Sequence, residues 1–241
     1  MTDSLFLPIL KVDAEKINPK VLVCGDPERA ARIAERLDDA EEISYNREYR
    51  LFNGKRKGRE ITVASHGVGA SGAAVCFEEL IKGGAKEIIR IGTAGSLSSD
   101  IQDGEIVIAT GAIREDGLTD KLVSLSYPAI ASHRLVSKLE KAGTDLGIAT
   151  STGIVLTLAA FYPELDGIPN NYFSRAGAIA VEMEASALFI IASLHGIEAG
   201  AVLAIDGMAI DFDADSYNPH RDKVREAIDR EIELAIEALI N

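Results

Sequence analysis

Short apolar runs alternate along this chain with stretches in which apolar residues return every three or four positions. Runs of the first kind predict buried strands, and stretches of the second kind predict helices with one apolar face. Val21-Leu22-Val23-Cys24 stops at Gly25 and gives way to a helix. Asp26 suits its N-cap, Pro27 suits the first helical position, and Ala30, Ala31, Ile33, Ala34 and Leu37 form its apolar face. ITVASH (61–66) predicts a strand, followed by a glycine-rich turn and the helix AAVCFEELIKG. KEIIRIG (86–92) predicts a strand that ends in the turn GTAGS, and GEIVIATGAI (104–113) predicts another. SHRLVSKLEKAG (132–143) has the serine cap and terminal glycine of a helix. Then come strand AIAVEME (178–184), helix ASALFIIASLHG (185–196) and strand GAVLAIDG (200–207). A last helix, roughly 219 to 240, carries Val224, Ile228, Ile232, Ala235 and Leu239 on one face. Strand and helix alternating from end to end predict an α/β fold, a mostly parallel central mixed sheet flanked by helices. With no repeat, low-complexity segment or linker, residues 1–241 read as a single domain.

Composition adds limits. The 241 residues are 47% hydrophobic and 26% charged, as expected of a globular chain with ample length for a core. A net charge of −13, spread without a basic stripe, argues against a nucleic-acid partner. Cys24 and Cys76 lie in apolar surroundings with no metal or disulfide spacing, which fits a reducing compartment. LFLPIL near the start is too short for a signal segment, holds a proline and lacks a basic flank. No apolar run approaches membrane-spanning length. These features predict a cytoplasmic protein without a membrane partner or a metal-site spacing.

Candidate chemistry clusters at the strand ends. A glycine between a buried strand and a helix start exposes backbone N–H groups to an anion, and Gly25 is so placed. Arg29 falls in the first helical turn, where the helix dipole disfavours a cation; a bound anion would remove the conflict, and a plain surface arginine is the alternative. Arg90 interrupts the apolar run Ile88-Ile89-Arg90-Ile91 and needs an anionic partner, either an internal carboxylate or a ligand. Thr93 follows at the carboxyl end of that strand, so Arg29, Arg90 and Thr93 could converge on one phosphate. Val181-Glu182-Met183-Glu184 offers two carboxylates, of which strand alternation sends one toward the core or a site. Glu184 either complements the next helix start or accepts two sugar hydroxyls. Asp206 closes the run Ala201–Ile205, where desolvation would raise its pKa and suit it to general acid work; capping the turn at Gly207 is the alternative. Of the histidines, His66 lies nearest the glycine turns. Gly67-Val68-Gly69-Ala70-Ser71-Gly72 matches the dinucleotide-binding fingerprint, but the next strand lacks the acidic residue that would hold a ribose hydroxyl. Arg90 could instead take a 2′-phosphate, which keeps an NADP-binding oxidoreductase open; close packing through small residues accounts for the motif equally well.

Seven segments taken together resemble the nucleoside phosphorylase family of the hexameric type, which includes purine nucleoside and uridine phosphorylases. They are GDPERA (25–30), YNREYR (45–50), SHGVGASG (65–72), RIGTAGS (90–96), FYP (161–163), VEMEAS (181–186) and IDG (205–207), and they span nearly the whole chain. YNREYR and IDG are most similar to the purine enzymes of apicomplexan parasites. The resemblance implies a phosphate site formed by Gly25, Arg29, Arg90 and Thr93, with Arg47 reaching in across a subunit interface of a homohexamer built from dimers. It implies ribose bound by Met183 and Glu184, a base near Phe161 and Glu182, and Asp206 donating a proton to purine N7. The substrates would be a nucleoside and orthophosphate, with no cofactor. Three departures stand out. Leu7 or Ile9 replaces a histidine that many members carry, which leaves room for a less polar 5′ group such as that of methylthioadenosine. Thr157-Leu158-Ala159 replaces Ser-Ser-Asp or Ser-Ala-Asp, and Glu164-Leu165-Asp166 stands where bacterial uridine phosphorylases carry a Gln-Glu-Arg segment, which favours purine over uridine. A hydrolytic nucleosidase and a non-catalytic nucleoside-binding protein remain as alternatives.

Overall fold

The computed structural model describes residues 5–162, 167, 169–210, 218 and 220–241. In chain order the strands are β1 (Phe6–Leu7), β2 (Val12–Asp13), β3 (Lys20–Cys24), β4 (Asp38–Asn46), β5 (Tyr49–Arg56), β6 (Arg59–Ser65), β7 (Glu87–Ser96), β8 (Ile106–Glu115), β9 (Ala129–Ile130), β10 (Thr150–Leu158), β11 (Ala180–Glu182) and β12 (Glu198–Met208). The helices are α1 (Pro27–Ala34), α2 (Ala70–Lys82), α3 (Thr119–Leu122), α4 (His133–Leu146), α5 (Asn170–Arg175), α6 (Ala185–His195) and α7 (Asp222–Ile240). The apolar runs lie where the periodicity placed them. Val21 to Cys24 are fully buried in β3, and Asp26 caps α1 by accepting a hydrogen bond from the Glu28 N–H at 2.9 Å. Helix α6 buries every residue from Ala185 to Ala192, as an all-round apolar helix must.

The main sheet runs in the order β11-β10-β8-β12-β7-β3-β6-β5-β4, with β9 beside β8. Its centre is parallel, since β3 pairs in that sense with β6 and β7, and β7 with β12. The two flanks depart from simple strand–helix alternation. On one side β6, β5 and β4 form an antiparallel meander. On the other, β11 pairs with β10 and also, antiparallel, with β7, so β7, β12, β8, β10 and β11 close on one another. Closure needs local bends, and bulges supply them. Register shifts between Gly153 and Ile154 in β10, and between Ile205 and Gly207 in β12. Segment GTAGS is thus not a turn: β7 runs straight through it, because Gly95 and Ser96 pair with β11 and with β12. AIAVEME is strand only over Ala180–Glu182.

Candidate active site

At the carboxyl ends of β3, β6, β7 and β12, where α1, α2 and α6 begin, the fold encloses a cavity of about 610 Å³. Gly25, Arg29, Arg90, Thr93, Phe161, Glu182, Met183, Glu184 and Asp206 all line it. Open α/β sheets bind ligands at this end because helix N-termini and free loop amides converge there.

Arg29 is not a surface residue. Its side chain is 15% exposed, and its Nη1 lies 3.9 Å from Oε1 of Glu231, a fully buried acid on α7. The misplaced cation at a helix start therefore has a carboxylate behind it and the cavity in front.

Arg90 has a denser set of partners. Its Nε donates to Glu182 Oε2 at 3.1 Å, its Nη2 pairs with Glu184 Oε2 at 2.5 Å, and its Nη1 donates to His66 Nε2 at 3.2 Å. Since Arg90 can only donate, His66 Nε2 must accept, and its Nδ1–H donates to the Gly67 carbonyl at 2.9 Å. His66 is thereby fixed in its neutral form. Burial, with the charge of Arg90 added, holds its pKa well below the usual range. Gly92 makes this geometry possible. It sits two residues along the same strand face, and a Cβ there would stand 2.8 Å from Arg90 Nη2. Of the two partners weighed for Arg90 the internal carboxylate is present, and the side chain also lines the cavity.

Strand alternation fails for the two carboxylates, because β11 ends at Glu182 and Glu184 is already the N-cap of α6. Both are buried and both meet Arg90. Glu184 Oε1 also accepts the Gly69 N–H at 2.5 Å, and burial raises its carboxyl pKa against the opposing charge of Arg90. That bond fills the glycine-rich turn of 67–72 with a carboxylate, which removes the amide that a dinucleotide pyrophosphate would need. Glu182 is filled in a different way. Its oxygens accept from Thr157 Oγ1 at 2.6 Å, from the Glu184 N–H at 2.7 Å and from the Ala185 N–H at 2.9 Å, besides Arg90. Such a carboxylate braces the start of α6 and the Arg90 guanidinium. Glu182 and Phe161, the expected neighbours of the base, both line the cavity. Thr157, one of the departures from the family pattern, is part of the same brace.

Asp206 is the extra residue of the β12 bulge, because Ile205 pairs with Ala94 and Gly207 with Gly95. A bulge re-aims a side chain, and Asp206 lines the cavity although it is only 3% exposed. Arg221 Nη2 donates to the Asp206 carbonyl at 2.8 Å and its Nη1 pairs with Asp103 at 2.5 Å, which ties the bulge to the start of α7. Phe161 packs edge-to-face on Tyr162, with ring centroids 4.8 Å apart. Asn170, buried at the start of α5, also lines the cavity and donates from Nδ2 to the Ala209 carbonyl at 2.6 Å.

Arg47 is the one expected site residue that lies elsewhere. It is exposed in the turn between β4 and β5 at φ 57° and does not line this cavity, whereas its neighbour Glu48 does. Leu7 is part of the core and Ile9 packs against it. Glu164-Leu165-Asp166 and Pro163 of FYP lie outside the described residues. The sequence reading missed Glu231, Asn170, Glu48 and Arg221. Glu231 had a signal, since it falls between Ile228 and Ile232 on the apolar side of the last helix. Among the described residues no group of His, Cys, Asp or Glu could hold a metal ion, and no helix is long and apolar enough to cross a membrane.

Residues 19–241 match the model of the phosphorylase superfamily. Purine nucleoside phosphorylase of Plasmodium falciparum is 37% identical over 219 residues, covering 88% of this chain and 89% of that one. The crystal structure of purine nucleoside phosphorylase from Toxoplasma gondii in complex with immucillin-H superposes with a TM-score of 0.94 at 29% identity, over 99% of this chain and 97% of that one. A uridine phosphorylase structure from Vibrio fischeri reaches 0.91 at 32% identity, over 100% and 99% of the two chains. With the family model, the identity and the fold in agreement over nearly the full length, the chain belongs to the phosphorylase superfamily.

Proposed function

We propose that this protein is a nucleoside phosphorylase that cleaves the N-glycosidic bond of a purine ribonucleoside with orthophosphate, releasing the free base and ribose 1-phosphate. One observation carries the reading. A single cavity is lined by a helix start, two arginines and a threonine on the β3 side of β7, and by the bulged Asp206 of β12 on the other. In this reading the Gly25 amide, Arg29, Arg90 and Thr93 hold phosphate, Met183 and Glu184 hold the ribose, and Phe161 faces the base. Arg90 exchanges Glu184 for phosphate, and Glu184 turns to the 2′- and 3′-hydroxyls. A phosphate oxygen attacks C1′ as the bond to the base breaks, the bonding electrons leave with the base, and Asp206 gives a proton to N7. Neutralising the leaving base and placing an anion opposite the cationic sugar both lower the barrier. Arg47 completes the phosphate site across a subunit interface of a homohexamer built from dimers. The enzyme acts in the cytoplasm and needs no cofactor or metal.

Inosine, guanosine, adenosine, uridine and methylthioadenosine, each assayed with and without phosphate, test the reading. Base release from purine nucleosides should require phosphate; release without it would mean a hydrolase, and binding without turnover a nucleoside carrier. R90A should abolish phosphorolysis, and undiminished activity would refute the phosphate site. A uridine phosphorylase is the second reading, supported by the Vibrio fischeri likeness, and uridine preferred over all purines would select it.

A further inference from the structure

Glu231 is an acid for which the proposed reaction has no use. It is fully buried on α7, and neither carboxylate oxygen accepts a hydrogen bond among the described residues. The Ala204 backbone is a weaker polar contact that favours its charged form. Its ion-pair partner is the Arg29 guanidinium at 3.9 Å. A buried carboxylate with so little compensation resists ionisation, and burial, opposed by the charge of Arg29, pushes its pKa up to about 8. The groups that face it are Arg29 from α1, Arg90 from β7, Asp206 from β12 and the Cys24 thiol from β3. Burial pushes that thiol up to about 12, so it stays neutral. Helix α4, packed along α7, buries only apolar side chains, while Asp229 and Glu233 on α7 itself turn to Arg32 and Arg36.

The charges of the cavity wall matter here. Glu182 and Glu184 already offset Arg90. With Glu231 ionised Arg29 is offset too, and a dianion would meet two arginines outnumbered by three carboxylates. Protonating Glu231 removes one of those negative charges and leaves Arg29 unopposed. We propose that Glu231 couples anion binding to proton uptake, taking up to one proton from solvent as the phosphate site fills at alkaline pH and returning it as the site empties. Glu231 is a positioning residue that acts through Arg29. The inference rests on the reading of Arg29 as a phosphate ligand.

Sulfate tests it in the absence of nucleoside, because sulfate stays a dianion where phosphate itself titrates. Isothermal calorimetry at pH 9 in two buffers of different ionisation enthalpy counts the protons taken up. One linked proton makes sulfate affinity fall about tenfold from pH 7 to pH 9. E231Q should remove both the fall and the proton uptake, and the pH dependence of the KM for phosphate should flatten with them. E231M, of similar volume, repeats the test if E231Q does not fold. No proton uptake by the wild-type enzyme, or a variant that keeps the wild-type slope, would overturn the coupling while R29Q still weakened sulfate binding. Sulfate affinity unchanged in R29Q would remove the phosphate reading, and the coupling with it.

Discussion

Asp206 and Glu231 are both buried acids near the cavity, and their placement separates their roles. Asp206 is thrust into the cavity by a bulge, whereas Glu231 stays behind Arg29 in the core. D206N should therefore lower purine turnover by roughly 10²- to 10⁴-fold, the usual share of general acid catalysis. Uridine should suffer much less because uracil has no N7; equal losses measured in steady-state kinetics would remove the N7 role. Glu231 makes a prediction about stability. Its pKa is raised from 4.5 to about 8 on folding, so the folded state binds more protons between those values and stability falls as pH rises through that window. Thermal unfolding of the wild type should lose midpoint from about pH 5 to pH 8, and E231Q should flatten part of that loss. Glu182 gives the complementary lesson. The family resemblance places it near a base, and in this structure its carboxylate accepts from Thr157, two backbone amides and Arg90 and so also braces the frame.

Elements became legible where their pattern was local. Strand β3, helix α1, helix α2 and helix α6 follow from runs of apolar residues and from capping chemistry within a few positions. Strand β4 did not, because Asp38-Asp39-Ala40-Glu41-Glu42 shows no alternation and becomes a strand only by pairing with β5. Strand β10 was hidden likewise, its first half being polar and partly exposed. Segment GTAGS read as a turn since glycine usually breaks a strand; here the two glycines serve close approach. A Cβ on Gly95 would fall 2.5 Å from that of Ala209, and one on Gly92 would strike the Arg90 guanidinium. Because three partners lock Arg90, G92A cannot be relieved cheaply. It should destabilise the protein by about 1–3 kcal/mol, as overpacking does, and raise the KM for phosphate. Differential scanning calorimetry and phosphate titration of the purified variant check both effects.

Across the whole molecule, closure of β7, β12, β8, β10 and β11 gathers the site. It brings Glu184, beyond β11, onto Arg90 of β7, and sets Asp206 of β12 beside them. In the β4–β5 turn Glu48 lines the cavity, whereas Arg47 is exposed and does not. If Arg47 serves a neighbouring subunit, R47A should raise the KM for phosphate without altering the thermal midpoint. Mixed oligomers reassembled from R47A and D206N should then show turnover at low phosphate that neither variant reaches alone; no such gain would place the role of Arg47 within its own chain.

Sequence alone determined the strands and helices whose apolar pattern is local, and it marked Gly25, Arg29, Arg90, Thr93, Glu184 and Asp206 as chemically unusual. Those signals are local: an arginine in an apolar run or at a helix start is conspicuous without knowledge of its partner. Tertiary structure decided the partners. Only folding puts Glu231 behind Arg29 across some 200 residues of sequence, and both glutamates of 181–186 on Arg90. Charge balance inside a cavity depends on distances between elements, and those are set by sheet closure and helix packing rather than by any short stretch of chain.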